Sequence, residues 1–94
     1  MKKLSELMLE GYSMVGAQCE GQEYEGDSPF NPAAVCAIGA AQLALTGRAS
    51  GYGGADFFAQ LDRFEDSVGF TVADLNDRGM SIPDIAGIAA AEGL

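Results

Sequence analysis

Asn31-Pro32-Ala33-Ala34-Val35-Cys36-Ala37-Ile38-Gly39-Ala40-Ala41-Gln42-Leu43-Ala44-Leu45-Thr46-Gly47 is the stretch that decides the fold. Asn31 can accept a hydrogen bond from an unpaired amide, and Pro32 has no amide to lose at a first helical position. The expected helix runs Ala33 to Thr46, with Gly47 at the position where helices commonly turn left-handed and stop. Val35, Cys36, Ile38, Leu43 and Leu45 alternate with six alanines and Gly39, so the helix is apolar nearly all round. Such a helix belongs at the centre of a domain. Its small residues let neighbouring helices come close.

Outward from this segment the chain reads as more helices. Leu4, Met8, Gly11 and Val15 recur at spacings of four and three, with Leu7 and Met14 beside them, which predicts an amphipathic helix over roughly 3–17. Gln18 to Asn31 carries Gly21, Gly26 and Pro29 and reads as a loop. Arg48 to Gly54 is a second, glycine-rich loop. Phe57, Leu61, Phe64 and Val68 form the inner stripe of a helix from Ala55 to about Val68, flanked by Phe58. Thr71 precedes Asp74 by three, a capping pattern that starts a short helix Val72 to Arg78 ending at Gly79. Ser81 and Asp84 repeat it, with Pro83 in the first turn, for a last helix of about Ile82 to Glu92 stopped by Gly93. No alternating strand pattern and no internal repeat is visible. The expectation is an all-α fold, a compact bundle of four to five short helices around the central Ala-rich helix, in one domain spanning residues 1–94.

Composition excludes several functions. The 94 residues hold 14 acidic and 5 basic side chains, for a net charge of −9, and the basic residues Lys2, Lys3, Arg48, Arg63 and Arg78 do not form a patch. Direct nucleic-acid binding needs clustered cations and is not expected. No stretch approaches a membrane span, and Ser5, Glu6 and Glu10 interrupt what could have been a signal peptide after Lys2-Lys3. A cytoplasmic protein with two free thiols is the expectation.

No histidine is present, which removes the commonest general base. Cys36 falls within the apolar helix, where burial suppresses the thiolate. Cys19 lies near Glu20 and Glu23, whose charges raise a thiol pKa. No catalytic residue, metal site or cofactor is therefore assigned. Glu20, Glu23, Glu25 and Asp27 crowd one loop, but not at the spacing of a calcium-binding loop. With Tyr24 among them they are the candidate partner-binding surface, suited to a basic protein. Arg48, Gly51, Gly53 and Gly54 are the candidate ligand-binding set, because glycine amides leading into a helix can hold an anion.

Two resemblances add to this. Asp77-Arg78-Gly79-Met80-Ser81 followed by Asp84-Ile85-Ala86 resembles the second half of a helix-turn-helix motif. The residues after Ala86, however, are Gly87, Ile88, Ala89, Ala90, Ala91 and Glu92, which offer nothing to bases or phosphates. Val35-Cys36-Ala37-Ile38-Gly39-Ala40, with Leu75-Asn76-Asp77-Arg78-Gly79-Met80-Ser81 and Ile85-Ala86 some forty residues on, resembles a group of small bacterial and phage proteins. That resemblance implies a helical fold and a bacterial or phage setting, and no activity. In those motifs the small residues serve close helix contact, and Asn76 and Asp77 polar contacts near a helix end. Three function classes fit the sequence: an acidic protein-interaction module or inhibitor, a self-assembling structural protein short of large core residues, and a small-ligand binder using Gly51–Gly54.

Overall fold

In the computed structural model, which describes residues 1–51 and 53–94, five helices follow one another as α1 (Leu4–Val15), α2 (Ala37–Thr46), α3 (Ala55–Val68), α4 (Val72–Asp77) and α5 (Ile82–Ala91). Two short strands, β1 (Tyr24–Glu25) and β2 (Ala34–Val35), lie between α1 and α2. The fold is all-α with this small antiparallel ladder added, Tyr24 opposite Val35 and Glu25 opposite Ala34.

The centre is the crossing of α1 with α2, flanked by α5 against α1 and by α4 against α2. Of the predicted stripe of α1, Leu4, Met8 and Gly11 are enclosed together with Leu7, Val15 is half-buried, and Met14 beside it is exposed. The crossing is close because Gly11 has no side chain. A Cβ there would overlap the backbone of Ala40, meeting its carbonyl oxygen first. Gly39, one residue earlier on α2, sits equally tightly under the carbonyl oxygen of Glu23. Two helices can approach to this distance only where small residues face each other, which is the structural use of the Ala-rich composition.

The start of α2 differs from the sequence expectation. The helix begins at Ala37 with Cys36 as its N-cap, and Asn31-Pro32 belongs to a turn in which the Asn31 amide donates to the Ser28 carbonyl. The amides of Ala33, Val35 and Cys36 donate instead to the carbonyls of Glu25, Ala17 and Glu23. Backbone donors committed to neighbouring extended segments are unavailable to a helix, so helical geometry starts only after them. Capping falls to the Cys36 thiol, whose sulfur accepts from the Gly39 amide at 3.3 Å.

The other helix ends follow the sequence signals. Thr71 Oγ1 accepts from the Asp74 amide at 3.0 Å and Ser81 Oγ from the Asp84 amide at 3.2 Å. Gly47 closes α2 in a left-handed conformation, φ 84°. The first amides of α1 have no local cap and are satisfied from afar: Leu4 N–H donates to Gln60 Oε1 on α3 and Ser5 N–H to the Leu94 carbonyl. No helix among the described residues is long and apolar enough to cross a membrane.

The close crossing gives a prediction that separates packing from helix propensity. Gly11→Ala raises intrinsic helix propensity yet will lower stability, by about 2–3 kcal/mol, because the methyl has no room. Gly87→Ala, on the exposed face of α5 with open space around its Cβ, will raise stability by about 0.5–1 kcal/mol. Urea denaturation of the two variants beside the wild type checks the opposite signs.

Candidate functional site

The segment that carries the acidic residues is fastened at several points. Asn76, at the end of α4, is 0% exposed. Its Oδ1 accepts from Gln18 Nε2 at 2.9 Å and from the Ala37 amide at 3.0 Å, and its Nδ2 donates to the Cys19 carbonyl at 2.8 Å. Gln18 Nε2 also donates to the Met80 carbonyl, and Gln18 Oε1 accepts from the Ile82 amide, both at 2.8 Å. Asp77 Oδ1 then accepts from the Gly21 amide at 2.8 Å. Further along, Glu23 Oε2 accepts from buried Gln42 Nε2 at 3.0 Å, and the same amide group donates to the Ala49 carbonyl at 3.2 Å. Residues 18–25 are thus a surface held by α2 and α4, with hydrogen bonds in place of the apolar contacts a loop lacks.

On this frame the five candidate residues separate. Glu20, Glu25 and Asp27 are exposed, Tyr24 is half-buried, and Glu23 points its carboxylate to Gln42. An open hollow of about 530 Å³ is lined by Gln22, Glu23, Tyr24, Glu25, Gly26 and Ser50. Asp27 lies at a separate hollow with Ser28, Asn31 and Pro32. Among the described residues the one ion pair is Lys2 with Glu10, at 2.8 Å. Arg48 and Arg78 are laid over aromatic rings instead, 5.3 Å from the centroid of Phe30 and 4.7 Å from that of Phe70. Among the described residues, therefore, no salt bridge pairs the loop carboxylates with a cation. Among the described residues no three Cys, Asp or Glu side chains converge as a metal site.

The alternative anion-binding set does not come together in the same way. Arg48 stacks on Phe30 and donates to Ser50 Oγ at 3.4 Å. Gly54 is the N-cap of α3, with no side-chain cap, and Gly53 lies against the Phe57 ring. Among the described residues no hydrogen bond joins Arg48 to Gly53 or Gly54. Tyr52, between Gly51 and Gly53, lies outside the described residues.

Both cysteines are free and buried. Cys19 lies on the loop, as its sequence reading placed it, but it is buried there, and burial rather than nearby carboxylate charge leads in raising its thiol. Its amide donates to the Val35 carbonyl and its Sγ donates to the Gln22 carbonyl at 3.6 Å. Its pKa is pushed up to about 11, first by burial, then by the neighbouring Cys36 and only after that by Glu25. Burial also pushes the Cys36 thiol up, against the pull of the Gly39 amide, which favours the thiolate.

Two residues that sequence reasoning passed over position this surface: Gln18 and Gln42. The available signal was Gln42 itself, the one amide side chain in an otherwise apolar helix, since a buried amide must find partners. Neither family models, nor curated proteins, nor solved structures give a match to the chain.

The raised thiols predict slow, strongly pH-dependent alkylation. The thiolate is the reactive form, so a pKa of about 11 leaves Cys19 ionised at about one part in a thousand at pH 8, against about a quarter for an ordinary thiol. The rate of iodoacetamide modification at Cys19, followed in the unaltered protein by mass spectrometry of the peptide that carries it, will rise about tenfold per pH unit from pH 7 to 9. A rate that bends over between pH 8 and 9, with its midpoint at about pH 8.5, would show an unperturbed thiol.

Proposed function

We propose that this chain is a small non-enzymatic interaction module that engages a basic surface of a protein partner in a cytoplasmic setting of bacterial or phage type. The observation that carries this reading is the combination of an anchored backbone over residues 18–25 and carboxylates outside any salt bridge at Glu20, Glu25 and, just beyond, Asp27. Glu20 and Glu25 are exposed on a segment anchored by Asn76, Asp77 and Gln42, and exposed Asp27 follows it. Holding charged groups in place before association avoids the ordering cost that a mobile loop pays on binding. The field of a net charge of −9 steers a cationic partner toward the molecule. Tyr24, half-buried beside them, adds an apolar face with a polar tip.

Neutralising the charge without disturbing the anchor tests the reading. Glu23 is kept, because its carboxylate holds Gln42. A partner is captured from bacterial lysate at low salt, and its association rate is then compared between wild type and Glu20→Gln/Glu25→Gln/Asp27→Asn. The triple variant will associate about tenfold more slowly at low ionic strength, and the difference will shrink as salt screens the field. Equal rates at low salt, with an unchanged circular dichroism spectrum, contradict the assignment of the loop.

A further inference from the structure

α3 is the least enclosed of the long helices, and beside it runs a groove. Of its fourteen residues only Phe57 and Phe64 are fully buried. A hollow of about 260 Å³ lies between α3 and the start of α4, floored by Ile38, Phe58, Leu61, Val72 and Ala73. A second hollow of about 190 Å³ adjoins it, sharing Ile38 and Ala73 and reaching Cys36 and Gly21. Together they form a channel from α3 to the acidic segment. Its middle is apolar, and Phe58 is 43% exposed there. Its ends are acidic, with Asp62 and Glu65 on α3 at one end and Glu23 and Asp77 at the other. The one ion pair among the described residues joins Lys2, ahead of α1, to Glu10 on α1, so none of these four carboxylates is in a salt bridge.

An apolar floor between two negative ends specifies its occupant. We infer that this groove docks a short segment of a partner protein, with apolar anchor side chains in the middle and Lys or Arg on both flanks. The apolar anchors remove water from Ile38, Leu61 and Phe58, and the flanking cations meet Asp62 and Glu65 on one side and Glu23 and Asp77 on the other. A purely cationic ligand leaves the floor wet, and an acidic one meets like charge at both ends; the opposed preferences confer specificity. An amphipathic helix presenting its anchors three and four residues apart satisfies both demands. This inference rests on the reading of the protein as a module for basic partners and moves the main contact from the acidic loop to the groove beside it.

The probe is a synthetic peptide of about twelve residues with Leu at i, i+3, i+4 and i+7 and Lys elsewhere. A second peptide replaces Leu by Ser, and a third replaces Lys by Glu. Binding is followed by amide chemical shifts of the isotopically labelled protein at low salt. The Lys–Leu peptide will saturably shift Ile38, Leu61, Glu65 and Ala73, and the other two will not. Ala73→Arg, which fills the wall shared by both hollows and opposes the peptide's charge, will weaken binding about tenfold or more. Asp62→Asn/Glu65→Gln changes only exposed positions, leaves the fold intact, and will weaken binding severalfold. Shifts confined to residues 20–27, equal for the Lys–Leu and Lys–Ser peptides, overturn the groove and leave the acidic-loop reading standing. Equal binding of the Glu–Leu peptide overturns the charge assignment of the groove ends. Absence of binding by either Lys peptide removes both readings.

Discussion

The carboxamide of Asn76 is wholly out of solvent and ties α4 to two parts of the chain far from it in sequence, residues 18–19 and the start of α2. It accepts from the first amide of α2 and from the Gln18 side chain, and it donates to the Cys19 carbonyl. A buried amide without partners costs on the order of 1–3 kcal/mol, so each of these bonds constrains where its segment can lie. With Asn76 in place, the N-terminus of α2 is fixed against α4, and residues 18–19 are fixed alongside β2. Gln18 extends the same network to the Met80 carbonyl and the Ile82 amide, at the entry to α5. Among the described residues no buried side-chain nitrogen or oxygen is left without a partner. The acidic surface is a consequence of this arrangement, because residues 20–25 continue directly from the point that Asn76 holds.

The second organising feature is small size. Gly11 against Ala40 brings two helix backbones together, and Gly39 brings α2 under the Glu23 carbonyl. A core of alanines, with Phe57, Phe64 and a few aliphatic side chains as its bulk, packs tightly at the α1–α2 crossing and has little volume left with which to cover α3. Leu61 and Val68 remain half-buried, although they lie on the same stripe as Phe57 and Phe64. The groove beside α3 follows from that distribution: close packing on one side of the molecule leaves apolar surface open on the other.

Much of this was legible in the chain itself. The Thr71 and Ser81 caps, the Gly47 stop and the buried stripe of α1 are local signals, written within four residues of where they act. The strands were not legible, because Tyr24–Glu25 and Ala34–Val35 are two residues each and carry no alternation. The amides of Ala33, Val35 and Cys36, in and beside β2, nonetheless decided where α2 begins and left Asn31-Pro32 in a turn. Asn76 and Asp77 stood out as polar residues at a helix end, yet nothing local names Gln18, Cys19 and Gly21 as their partners more than fifty residues away. The acidic cluster was visible as composition, whereas its anchoring through Gln42 and Asp77 is a tertiary property. The burial of Cys19 was not legible for the same reason, since it comes from packing against Ala34 and Cys36 across the chain.

If the Asn76 network holds the molecule together, Gln18 and Asn76 must be energetically coupled. A double-mutant cycle of Gln18→Ala, Asn76→Ala and the pair, measured by urea denaturation, tests this directly. The account predicts that Asn76→Ala alone costs about 2–3 kcal/mol and that the two substitutions together cost at least about 1 kcal/mol less than their sum, since removing either one already breaks the shared bond. Additive effects within about 0.3 kcal/mol, or a cost for Asn76→Ala below about 0.5 kcal/mol, would contradict it.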